Sequence, residues 1–194
     1  MTSNASVAKT NTRNKIHPHK FALWAACAGI VMMFASLTSA YLVRQAAGNW
    51  LEFRLPEIFF ASTGAIVASS LTLHGSYLAF MRGNAGLYRG LMVATVILGL
   101  AFLVLQYEGW QALVDIGVPL KTNPSGDFIY VISGLHAAHV LGGIGVLTVA
   151  LLHAFMLEYK VTPNRKVRFE LTLTYWHFVD ALWVYLLVFF ILSA

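Results

Sequence analysis

The chain has 194 residues, of which 58% are hydrophobic and 11% charged, where water-soluble domains carry roughly 25% charged residues. That balance excludes an ordinary soluble domain and belongs to a protein solvated by lipid. The formal net charge is +5, but the bases sit in short segments between apolar runs and are not interleaved with exposed aromatics, which argues against nucleic acid as a partner. Cys27 is the single cysteine, so an internal disulfide and a cysteine metal cluster are both excluded.

Residues 1–19 form a polar tail containing Lys9, Arg13, Lys15, His17 and His19. The first apolar run, about residues 20–43, ends in small residues at Thr38, Ser39 and Ala40 that resemble a signal-peptidase site. It exceeds the roughly 7–15 apolar residues of a signal peptide and is read as a membrane span. Four more runs follow, at about 56–81, 88–114, 127–155 and 171–192, each long enough to cross a hydrocarbon core of about 30 Å. Pro56 opens the second, where its missing N–H costs nothing. Between the third and fourth, Gly117, Pro119, Asn123, Pro124 and Gly126 mark the longest connection. The fold predicted is all-α, one membrane domain over residues 20–194 built as a bundle of five transmembrane helices. No internal repeat is visible, which weighs against a transporter made of inverted halves.

Lysine and arginine flanking the spans are retained in the cytoplasm. Lys9, Arg13, Lys15, Lys20, Arg82, Arg89, Lys160, Arg165, Lys166 and Arg168 fall on the side of the N-terminus, and Arg44, Arg54 and Lys121 fall on the other. The N-terminus is therefore expected in the cytoplasm and the C-terminus outside. Arg82, Arg89 and the bases from Arg165 to Arg168 are candidates for contact with anionic lipid headgroups, at roughly 1 kcal/mol each near a membrane surface. Orientation alone accounts for them equally well.

Ionisable groups in the hydrocarbon layer cost at least roughly 2.5–3.5 kcal/mol each, so they seek partners. Here they are His74, His136, His139, His177 and Asp180, with Glu108 near the outer end of the third span. His136 and His139 share one helix face, as do His177 and Asp180. A rise of about 1.5 Å per residue puts His136 about 13 Å, His139 about 18 Å and Asp180 about 16 Å from the outer surface. Equal depth predicts a polar clasp in which Asp180 pairs with one or both histidines of the fourth helix. A metal site is a second reading, since the ligand types are right, although the zincin spacing and its glutamate are missing. A proton relay is a third, but no carboxylate continues it inward or outward. Helix adhesion is favoured. Gly134, Ala138 and Gly142, and likewise Ala61, Ala65 and Ser69, form small-residue stripes that let helices approach closely. Trp50, Trp110, Tyr130, Tyr175 and Trp176 fall near predicted span ends, as an aromatic belt would, and Trp176 is read as an anchor there.

Gly134-Leu135-His136-Ala137-Ala138-His139-Val140, followed in the next span by Tyr175-Trp176-His177-Phe178-Val179-Asp180-Ala181-Leu182-Trp183, resembles the haem-copper oxidase subunit III family. Supporting stretches are Phe34 to Val43 closing the first span, Leu55-Pro56 opening the second, and Leu105-Gln106 with Glu108 to Trp110 ending the third. The likeness is to the short, five-helix bacterial form. It implies a non-catalytic subunit of a proton-pumping terminal oxidase, flanking subunit I, with subunit II and small subunits nearby and an alternative complex III supercomplex as a further association. Haem and copper would reside in those partners, none on this chain, and phospholipid would fill a cleft between helix groups. Cytochrome c is the implied donor and quinol the alternative; an independent proton or ion transporter is the reading from outside the family. His136, His139, His177 and Asp180 carry over as structural residues, with Glu108, Trp110 and Trp176 as lipid or subunit contacts. The family often has a carboxylate midway along the first of these helices, where this chain has Ile30.

Overall fold

A computed structural model describes residues 18–156 and 158–193, so the polar tail up to His17 lies outside the described residues. Five helices are present among them: α1 Pro18–Ala46, α2 Ile58–Met81, α3 Ala85–Asp115, α4 Pro124–Met156 and α5 Pro163–Ser193. All five are long and apolar enough to span a membrane.

The helices start and stop where local chemistry dictates. Asn84 caps α3, its side chain accepting from the Leu87 N–H at 3.1 Å. Asn123 and Thr162 cap α4 and α5 through the N–H groups of Ser125 at 3.0 Å and Arg165 at 3.3 Å. Each is followed by a proline at the first helical position. These caps set α5 eight residues earlier than its apolar run, because the polar turns from Pro163 to Glu170 are helical too. α2 and α3 both end in a Schellman turn. Gly83 at φ +82° and Gly117 at φ +83° take the left-handed position. The N–H groups of Asn84 and Val118 then reach back to the carbonyls of Ala79 and Leu113.

α2, α3, α4 and α5 form a ring in which each helix touches its two neighbours, and α1 packs outside it on α4 and α5. α1 runs parallel to α5. Lys20 meets Glu170 at one end, and Tyr41 and Gln45 donate to the Ser193 carbonyl at the other.

Two tryptophans of α5 fill the ring. Trp176, 1% exposed, enters a space left by Gly99 and Gly143, where an added Cβ would lie 3.1 Å and 2.9 Å from its indole. Its Nε1–H donates to Ser69 Oγ at 2.9 Å. Two turns further, Trp183 donates to Thr63 Oγ1 at 2.9 Å and packs on Phe59 and Phe102. Trp176 is therefore a core residue and not an interfacial anchor. Starting α5 at Pro163 places it 13 residues, about 20 Å, into the helix.

Candidate functional site

The intramembrane polar residues divide into two groups on different faces of the bundle. His136, on α4, is fully buried. Its ring stacks on Trp183 with centroids 5.1 Å apart and meets the edges of Phe34 and Phe102. Neither ring nitrogen has a hydrogen-bond partner. Gln106, one turn inward from Trp110 on α3, is also buried with both amide atoms unpartnered. His139 donates Nδ1–H to the Leu135 carbonyl one turn back, at 2.8 Å, and its own carbonyl accepts from the Tyr175 hydroxyl at 3.1 Å.

His177 and Asp180 face α2 instead. Ser70 hydrogen-bonds the His177 ring nitrogen Nδ1 and also stands within reach of the Asp180 carboxylate. His74 lies beside His177 with ring centroids 5.8 Å apart. Asp180 Oδ1 is buried without a partner. The clasp expected between Asp180 and the α4 histidines is therefore not formed. The depth estimate addressed height alone, whereas partners also depend on direction around the axis. Trp183 occupies the face of α5 toward His136, and Asp180 lies nearer Ser70.

The flanking candidates are likewise distributed. Trp110 donates to Ser133 Oγ at 2.9 Å, an internal α3–α4 link. Arg89 is half-buried, donating to the Ala154 carbonyl at 2.8 Å and lying 5.5 Å above the Phe155 ring. Arg82 and Glu108 are exposed. Composition could not show the Glu170 cluster. Its carboxylate accepts from Lys20 at 2.7 Å and Tyr77 at 3.1 Å, joining three helices at the end of the bundle that carries most of the bases. Near that end a cavity of about 630 Å³ has apolar walls including Leu23, Met92 and Val146, with His153, Arg165 and Arg168 also lining it.

Among the described residues, no three His, Cys, Asp or Glu side chains are grouped as a metal ion requires. The polar groups do not converge on one chamber, and the five long apolar helices define a multi-pass membrane protein of the helical-bundle class. The family model for cytochrome c oxidase subunit III matches residues 52–193. Similar curated proteins include the cytochrome c oxidase subunit 3 of Corynebacterium diphtheriae, 31% identical over 166 residues, covering 81% of this chain and 80% of that protein. The probable cytochrome c oxidase subunit 3 of Mycobacterium tuberculosis is 30% identical over 160 residues, covering 79% and 77%. The rabbit (Oryctolagus cuniculus) cytochrome c oxidase subunit 3 is 29% identical over 132 residues, covering 68% and 49%. The chain belongs to the cytochrome c oxidase subunit III family. It is subunit III of a haem-copper terminal oxidase of the respiratory chain.

Proposed function

We propose that this chain is a non-catalytic subunit of a bacterial, cytochrome c-oxidising, proton-pumping oxidase. It packs beside subunit I, stabilises that subunit during turnover and supports its proton uptake. Subunit II, small subunits and a supercomplex with alternative complex III are the wider assembly. Haem and copper reside in the partners. The chain lies in the plasma membrane, N-terminus inside, as its loop charges favour. The observation that carries the reading is that four intramembrane side chains each bond a hydroxyl on another helix: Trp176 to Ser69, Trp183 to Thr63, Trp110 to Ser133 and His177 to Ser70. His177 serves the α2–α5 seam through Ser70, with Asp180 on the same face of α5.

The 630 Å³ cavity suits a phospholipid, acyl chains against its apolar wall and phosphate near Arg165 and Arg168. The test is purification of the tagged chain in mild detergent, with an optical spectrum and identification of copurifying chains. The expected result is a haem spectrum that follows a larger partner and is absent from the separated chain. A separated chain that keeps a haem, or that copurifies with no haem protein, would overturn the proposal.

A further inference from the structure

α1 and α2 both pack on α5 but do not touch each other, leaving a strip of α5 uncovered between them. At one end the strip is pinched. Glu170 accepts from Lys20 of α1 and Tyr77 of α2, above a cavity of about 260 Å³ that Trp24 and Thr174 also line. At the other end, under the connection from α1 to α2, lies an open hollow of about 850 Å³ lined by residues 52–55, Glu57, Phe60 and Ile191. Between the ends, His177, Ala181, Val184, Val188 and Ile191 recur at alternating spacings of three and four, the seam one helix offers to another. Val184, Val188 and Ile191 are 38%, 48% and 46% exposed, and Ala181 is exposed as well.

The α2 wall of this slot holds Val67 and His74, both exposed. His74 makes no hydrogen bond to any described residue, and its ring lies beside that of His177, centroids 5.8 Å apart. It lies seven residues, about 10 Å, in from the end of α2 at Met81, within the apolar layer. Imidazole is too short to reach the headgroups, so a hydrogen-bonding group brought to it inside the membrane lowers the cost of holding it there.

We infer that the slot along α5 between α1 and α2 receives one transmembrane helix of the haem-bearing partner subunit, which presents a hydrogen-bonding side chain at the depth of His74. This rests on the proposal that the chain works inside an oxidase and names the face by which it docks. A lipid acyl chain fits the apolar stretch but cannot bond His74. A second copy related by a two-fold axis brings another concave slot, so neither is filled.

The experiment uses the intact oxidase with a photoreactive amino acid placed singly at Ala181 or Val184, and at Ile97 of α3 or Val131 of α4 as comparison sites on other exposed faces. The expected result is a crosslink from both slot positions to the haem-bearing partner and none from Ile97 or Val131. Ala181→Trp, which fills the slot from an exposed position, should lower the partner retained on purification at least tenfold, while Ala181→Ser leaves it unchanged. His74→Leu should lower it several-fold, and His74→Gln should restore most of it. Crosslinks to that partner from Ile97 or Val131 instead, slot crosslinks to lipid or a second copy alone, or full retention with Ala181→Trp would each overturn the inference and leave the proposed function standing. Failure of the unaltered chain to copurify with a haem protein would overturn both.

Discussion

Two glycines of α4 provide a matched test of how Trp176 is seated. A Cβ at Gly143 would lie 2.9 Å and 3.0 Å from indole carbons of Trp176 and 3.2 Å from the Tyr175 ring, whereas one at Gly145 meets nothing within 4 Å. Replacing either by alanine gains the same helix preference, about 0.5–1 kcal/mol, so their difference isolates the collision. Trp176 cannot swing away freely, being buried and bonded to Ser69 at 2.9 Å. Overpacking of a tight core costs about 1–3 kcal/mol. Gly145→Ala should therefore be neutral or stabilising, and Gly143→Ala less stable than Gly145→Ala by about 1–3 kcal/mol. For a domain of this size that is a gap of at least about 2 °C in thermal midpoint, read by tryptophan fluorescence in detergent. In a Trp176→Phe background the gap should shrink without closing, because the six-membered indole ring is gone while the Tyr175 contact at 3.2 Å stays. Equal midpoints for the two alanine variants, or an undiminished gap with Phe at 176, would refute this account of the packing.

Other outcomes follow from the same geometry. His136→Phe should be neutral or stabilising, since no hydrogen bond is lost and a buried polar ring is replaced by an apolar one; a midpoint lowered by several degrees would show that an imidazole nitrogen is engaged. Asn84→Ala should cost about 1 kcal/mol through loss of the α3 cap, seen as a lower thermal midpoint that Asn84→Ser largely avoids. Gly117→Ala should destabilise by about 1 kcal/mol or more because φ there is positive, measured the same way. Glu170→Gln should loosen α1 by up to about 1 kcal/mol, detected as faster proteolysis near Lys20, and added salt should narrow its difference from the unaltered chain.

Much of the architecture is visible in hydropathy alone, because a run of about 20 apolar residues has few options besides crossing the bilayer. The start of α5 is not, since Thr162-Pro163 begins a helix by capping and not by apolarity. That offset also misplaces Trp176, which is interfacial when counted from Leu171 and central when counted from Pro163. His136 and Asp180 share a depth that rise per residue predicts, yet a turn of about 100° per residue decides which neighbour each one meets. Height is legible along a chain, whereas facing depends on how helices are arranged about one another. The pairs Trp183 with Thr63 and Trp176 with Ser69 span more than 100 residues and leave no local trace.

The outlying position of α1 bears on how the protein is made. It is synthesised before the rest of the bundle, yet its packing partners α4 and α5 come last. α2 and α3, joined by a link of three residues, can close on each other while α1 still has lipid on every side. Its tether to the growing chain and its own apolarity must hold it in the bilayer through that interval, so translation order and docking order run in opposite directions for this helix.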